Sequence, residues 1–180
     1  MSTLALRRHG AGDTADLLDT LTEVWAEAHT GHDDVARAGF TPETLRRQIT
    51  GHARREGFAL VAAYAEGRIV GFGYGFPCTP LYWFGEQLLP SVTPEARRTD
   101  SLAGICELAV RTGWQGQGIG SGLHRALLEA LRTRWVSLLA MPGDTSARQL
   151  YDRLGYRYAG PYRTGPDGPV LDLLLLRTPF

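Results

Sequence analysis

The sequence predicts a mixed α/β protein with about seven strands and about four helices. Three observations carry that expectation. Apolar runs of strand length alternate with amphipathic helical segments through the second half of the chain. The first half instead holds two consecutive strand-like runs joined by a tight Glu66-Gly67 turn, which is a hairpin signal. Between the fourth strand and the third helix lies a glycine-rich junction, with Gly113, Gly116, Gly118, Gly120 and Gly122 spread over the loop and the first helical turn.

The elements are expected in the following order. Leu4 to Arg7 forms a first strand. Asp13 caps a helix over 14–28, where Leu17, Leu18, Leu21, Val24, Trp25 and Ala28 recur at helical spacing. Thr41 caps a second helix, Pro42 takes its first position, and the helix runs to Arg54 or Arg55. Phe58 to Tyr64 and Ile69 to Phe76 are the hairpin strands, and three glycines in the second suggest close packing or a bulge. Residues 77–101 are the least regular stretch, with Pro77, Pro80, Pro90 and Pro94 around Tyr82, Trp83 and Phe84 and room for a short helix. A connection of that length points to function or mobility. Leu102 to Arg111 is the fourth strand. The helix that follows, 119–132, carries Ile119, Leu123, Leu127, Leu128 and Leu131 on one side. Trp135 to Met141 is the fifth strand. Ser146 to Leu154 is a short helix ended by Gly155 as a C′ glycine. Tyr156 to Ala159 and Val170 to Leu176 are the last two strands, with a turn at Thr164 to Pro169 between them.

At 180 residues, with 43% hydrophobic and 21% charged residues, one globular domain over 1–180 is expected. Lys plus Arg and Asp plus Glu both total 19, so the formal charge is zero, which argues against a nucleic-acid binder relying on a basic excess. No apolar run reaches the roughly 20 residues that span a bilayer, and the N-terminus does not read as a secretory signal. Cys78 and Cys106 are too few for a disulfide framework or a zinc site. These features lead us to expect a cytoplasmic protein with free thiols, a monomer or homodimer, with neither nucleic acid nor membrane as partner.

The glycine-rich loop is the most informative stretch. Glycine permits positive φ and close approach of a ligand to the backbone. The first amides of the following helix lack intrahelical partners and carry the positive end of its dipole. Together these make an anion site, most naturally for phosphate. A Walker loop fails because Ile119 stands where lysine is required after Gly113 and Gly118. A dinucleotide loop fails in two registers: Gly116 and Gly118 lead to Ser121, and Gly118 and Gly120 lead to Leu123.

A third pattern fits. Gln115-Gly116-Gln117-Gly118-Ile119-Gly120 matches Gln/Arg-x-x-Gly-x-Gly/Ala at a strand-to-helix junction, and here the chain resembles the GCN5-related N-acetyltransferases, the GNAT family. A second block from Asp144 through Ala147, Leu150 and Tyr151 to Gly155 and Tyr156 resembles that family's Asn-x-x-Ala-x-x-Leu-Tyr-x-x-x-Gly-Phe segment. Asp144 stands where the family often has Asn, a carboxylate that only accepts hydrogen bonds in place of an amide that also donates. The resemblance implies a mostly antiparallel seven-stranded sheet and acetyl-CoA as co-substrate. It implies that Leu108, Ala109 and Val110 line the acetyl-pantetheine arm. Gln115, Gly116, Gln117, Gly118, Ile119, Gly120 and Ser121 would hold the pyrophosphate, while Asp144, Ala147 and Tyr151 complete the cofactor site.

Acetyl transfer to an amine needs a base, since a lysine-like amine is protonated at neutral pH. It also needs a polarised carbonyl and an acid for the departing thiolate. Glu107 is the candidate base: strand alternation puts it on the face of Ala109 and Arg111, opposite Leu108 and Val110. By the resemblance, Tyr151 is the candidate acid, and the Val110 amide polarises the carbonyl. Trp25, Tyr74, Tyr82 and Trp83 are candidates for binding the acceptor. His29 and His32 lack a third well-placed ligand, so no metal is expected. His124 reads as a helix-face residue and Cys106 as a small strand residue. The expected activity is transfer of acetyl from acetyl-CoA to a primary amine, on a small molecule or a peptide, by direct attack in a ternary complex. The alternative is a catalytically silent acyl-CoA-binding or regulatory domain on the same fold.

Overall fold

A computed structural model of the chain describes residues 4–32, 35, 39–143, 145–163 and 166–180. Its strands are β1 (Ala5–His9), β2 (Ala59–Ala65), β3 (Arg68–Cys78), β4 (Leu102–Val110), β5 (Trp135–Ala140), β6 (Arg157–Arg163) and β7 (Val170–Arg177). Its α-helices are α1 (Ala11–Ala28), α2 (Pro42–His52), α3 (Pro80–Leu88), α4 (Pro94–Arg97), α5 (Ile119–Leu131) and α6 (Ser146–Leu154). Among the described residues there are thus six α-helices, not about four.

The two additional helices lie in the stretch expected to be irregular. Thr79 caps α3 by accepting from the Tyr82 amide at 3.2 Å, and Thr93 caps α4 by accepting from the Ala96 amide at 3.4 Å. Pro80 and Pro94 follow those caps at the first helical position. The same Thr-Pro pair starts α2, where the Thr41 hydroxyl accepts from Thr44 N at 3.3 Å. Gly85, at φ 68°, breaks α3 near its middle. The start of α1 also differs from expectation. Its N-cap is Gly10, and Asp13 is already inside the first turn, accepting from the Gly10 amide at 3.3 Å. The Asp13 carboxylate therefore still serves the helix start, three residues later than a cap would.

The strands form one seven-stranded sheet in the order β1-β2-β3-β4-β5-β7-β6. β1 with β2, β2 with β3, β5 with β7 and β6 with β7 pair antiparallel, and β4 with β5 parallel. The chain divides into two compact units, one comprising Met1–Phe76 with Glu107–Leu131 and the other Pro77–Cys106 with Arg132–Phe180. β4 contributes its second half to the first unit and its first half to the other.

In the first unit, β3 alternates glycine with large aromatics. A Cβ on Gly71 would stand 3.2 Å from Leu123 Cδ1, and one on Gly73 would stand 2.8 Å from Leu127 Cδ1, so α5 lies directly on this glycine face. Phe72, Tyr74 and Phe76 point the other way and are fully buried. There the His52 ring meets Phe76 at 4.8 Å and its Nδ1 lies 3.1 Å from the Tyr74 hydroxyl. Leu21, Val24 and Trp25 of α1 and Leu45 and Ile49 of α2 are the buried stripes of two amphipathic helices.

The other unit is built on β5 and β7, paired from Trp135↔Arg177 to Ala140↔Asp172. Phe84, Val92, Ala96, Leu102, Leu173 and Leu175 form its core, with Trp83 packed against it. An ion pair from Arg148 of α6 to Asp172 of β7 at 2.6 Å ties that helix to the sheet, and a second, to Asp152 at 3.1 Å, lies within the helix.

Trp83 gives this core a sharp steric test. A Cβ on Gly104 would fall 2.1 Å from Trp83 Cζ3, an impossible separation. Gly104→Ala should therefore destabilise the protein by ~1–3 kcal/mol through overpacking. Gly122→Ala places its Cβ at an ordinary 3.5 Å from Leu6 inside a helix. It should be neutral or stabilise by up to ~1 kcal/mol. Urea unfolding followed by tryptophan fluorescence reads both effects as opposite or unequal shifts of the midpoint.

Candidate active site

β4 leads straight into the candidate cofactor loop, and alternation along it sorts the side chains as expected. The Arg111 amide donates to Val70 O at 2.9 Å. A Cβ on Gly71 would meet Ala109 O and Val110 Cγ2, and one on Gly73 would meet Glu107 O and Leu108 Cδ1. β3 and β4 therefore run antiparallel, with Val110 and Leu108 on the α5 face. Glu107 projects to the opposite face, directly across from Tyr74 in this register.

Glu107 is partly buried. Loss of water pushes its carboxyl from the ordinary 4.5 to about 7. The Trp25 indole N–H and the Leu108 amide partly oppose the rise by favouring the charged form. Trp25 is 5% exposed, and its Nε1 has no hydrogen-bond partner among the described residues. The indole N–H is thus close enough to the carboxyl to be felt electrostatically but does not meet hydrogen-bond geometry.

The loop after β4 is anchored at several points. Arg111 Nε donates to Ile69 O at 3.0 Å, and its Nη1 pairs with the Glu27 carboxylate. The Thr112 hydroxyl donates to Glu27 O at 3.0 Å. The Gln115 amide side chain reaches back to Val110 O at 2.9 Å, and that of Gln117 to Gly113 O at 3.3 Å. Gly116 and Gly118 have φ of 73° and 79°, conformations that side chains with a Cβ adopt only at a cost. Neither glycine has a neighbour within 4 Å of where a Cβ would stand, so the loop backbone faces open space. The first helical bond is Gly122 N to Gly118 O at 3.0 Å. The amides of Ile119, Gly120 and Ser121 therefore have no intrahelical acceptor, and the first turn of α5 carries no acidic residue. Such an N-terminus favours an anion.

Tyr151 belongs to the other unit. It is 8% exposed on α6 and makes an edge-to-face contact with Tyr156 at 5.6 Å. Burial, reinforced by Tyr151, holds the Tyr156 hydroxyl well above its usual range, so Tyr156 stays protonated. Ala147 is exposed in the first turn of α6. Thr145 caps that helix through the Arg148 amide at 3.1 Å, and Gly155 ends it at φ 91°. Asp144, expected to touch the cofactor, lies outside the described residues.

The four aromatic candidates occupy different environments. Trp25 stands beside Glu107. Tyr74 is fully buried with its hydroxyl on His52. Trp83 packs on the core of its own unit, and Tyr82 is 49% exposed on α3. His29 closes α1, its Nδ1 2.8 Å from Trp25 O and its ring 4.3 Å from the Trp25 ring, while His32 is exposed. Burial pushes His124 down to about 4, so it is neutral at pH 7. The His52–Tyr74 and Arg111–Glu27 pairs were not anticipated. Their partners lie 22 and 84 residues apart, and no short-range pattern signals them.

The sequence profile of the Acetyltransferase (GNAT) family matches residues 18–156. No curated protein matches the chain. Solved structures match along nearly its whole length. One is the PaiA N-acetyltransferase from Thermoplasma acidophilum in complex with coenzyme A, at 12% identity and a TM-score of 0.62, covering 98% of this chain and 99% of that one. The ribosomal-protein-S18-alanine N-acetyltransferase from Escherichia coli matches at 16% identity and 0.64, covering 97% and 94%. An aminoglycoside 6′-acetyltransferase of type Ii matches at 14% and 0.66, covering 96% of each chain. At these identities the structures speak to the fold, and the profile match over most of the sequence speaks to descent: the chain belongs to the GNAT family of acetyltransferases.

Proposed function

We propose that the protein transfers an acetyl group from acetyl-CoA to a primary amine by direct attack in a ternary complex, with residues 1–180 acting as one catalytic domain. One observation carries this reading: a carboxyl group raised to about 7 stands on the strand that leads into the glycine loop. A base with that affinity is half-ionised at neutral pH and can take the proton an ammonium must lose before attack. Glu107 is that base. The loop from Gln115 to Gly120 and the first turn of α5, with Ser121, hold the pyrophosphate through main-chain amides. Leu108, Ala109 and Val110 line the pantetheine arm, and the Val110 amide polarises the thioester carbonyl. Asp144, Ala147 and Tyr151 join the cofactor site by family resemblance, with Tyr151 the acid that protonates the departing thiolate. Two of the structural relatives are named for an alanine of a ribosomal protein and for aminoglycosides. The acceptor panel should therefore span peptide N-termini, amino sugars and simple alkyl amines, with thiol release from acetyl-CoA as the readout. Thiol release with none of them sinks the proposal.

The Glu107 assignment has a pH signature. Between 4.5 and about 7 the folded protein holds a proton that the unfolded chain has released. Stability therefore falls as pH rises through that window. Glu107→Gln removes the effect, so the variant should gain on the wild type by on the order of 1–3 kcal/mol from pH 4.5 to 7, then hold level. Denaturant unfolding at a series of pH values measures the difference. The same substitution should abolish the rise of kcat/KM that the wild type is expected to show through about pH 7.

Gly118→Val forces a β-branched residue to φ 79° and places side-chain atoms on the open side of the loop. It should weaken coenzyme A binding by about tenfold or more. Gln117→Ala, which removes only a 3.3 Å contact within the loop, should change it far less. Calorimetric titration with coenzyme A separates the two. Tyr151→Phe should lower kcat while leaving that affinity nearly unchanged.

A further inference from the structure

A buried polar hydrogen without an acceptor is uncommon, because leaving it unmade costs free energy. Trp25 presents such a group. Its indole is 5% exposed, and its N–H has no hydrogen-bond partner among the described residues. The acceptor it lies near is the Glu107 carboxyl.

The ring is buried against a neighbour, and its helix is anchored nearby. His29 stacks on it at 4.3 Å and bonds the Trp25 carbonyl at 2.8 Å. Two residues further along α1, Glu27 is fastened to Arg111 and Thr112. The indole is buried and packed on His29, whereas a glutamate side chain can reorient by rotation about its χ torsions. Other polar groups on this side of the unit have partners: the Tyr74 hydroxyl lies on His52 Nδ1, and Arg111 is paired with Glu27. A neutral carboxyl is a poor reason to turn toward the indole. A carboxylate is a strong one, since hydrogen bonds to ionised acceptors are shorter and stronger.

We propose that Trp25 is a positioning residue whose indole N–H captures the ionised Glu107 carboxylate and fixes its direction for the incoming amine. The unmade hydrogen bond is then the resting form of a contact that is completed each time Glu107 loses its proton. This inference rests on the reading of Glu107 as the base.

The test has two parts. In wild type, the Trp25 Hε1 resonance is assigned by elimination with Trp83→Phe, Trp114→Phe and Trp135→Phe. It should move downfield as pH rises through about 7, and the movement should vanish in Glu107→Gln. A resonance that stays flat in wild type overturns the proposal without any change at Trp25. In the second part, Trp25→Phe keeps the ring and removes the donor. The apparent pKa in kcat/KM should rise by about one unit, giving about fivefold lower kcat/KM at pH 7 and convergence with wild type above about pH 9. A raised KM for the amine with an unmoved pH profile would overturn the positioning role and make Trp25 part of the acceptor wall. If the resonance titrates as expected while wild type acetylates no amine, the acetyltransferase reading fails and the Trp25–Glu107 contact stands.

Discussion

The feature on which the site depends is the two-sidedness of β4. Successive side chains leave a strand in opposite directions, so one short segment must satisfy two unlike demands. Leu108 and Val110 meet the leucines of α5 across a glycine-lined patch of β3. Glu107 and Arg111 face the other way, toward α1. The apolar side fixes the strand and, through it, the mouth of the loop. The polar side can then hold a carboxyl where water is scarce. Moving the strand by one residue would bury Glu107 against Leu127 and turn Leu108 toward Trp25, which the glycine face of β3 makes sterically and electrostatically unfavourable.

Much of this was legible in the sequence. The alternation of β4 was readable from Glu107 to Arg111, and the structure sorts those residues as alternation requires. The glycine spacing at 113–122 marked the strand–loop–helix junction, and Gly116 and Gly118 do take positive φ. α6 runs over Ser146–Leu154 as expected, because Thr145 and Gly155 punctuate it at both ends. Family membership was also within reach, since both motifs lie inside the matched span.

What was not legible falls into two kinds. In 80–97 the signal was present but was outweighed by proline density. Thr79-Pro80 and Thr93-Pro94 repeat the start signal of α2, yet prolines so close together read as a breaker of structure rather than the opening of two short helices. The fate of the aromatics was a different matter. Trp25, Tyr74, Tyr82 and Trp83 look alike on paper. Whether a ring ends in a core, on a surface or beside a carboxyl depends on contacts between distant parts of the chain. Tyr74 meets a histidine 22 residues away. Trp83 covers a strand glycine whose identity would have meant little without it. The shifted environment of Glu107 is likewise a property of its neighbours rather than of its own segment.

The fastening of Arg111 and Thr112 to Glu27 has a consequence for how such a protein can diverge. The loop that follows β4 is tied to the last turn of α1, and that tie ends at residue 27. Both of those bonds end on Glu27, which precedes the connection between α1 and α2. The length and composition of that connection can drift without removing either bond to the loop. Selection for a new acceptor can therefore work on the chain after α1 while the loop's anchorage is inherited unchanged.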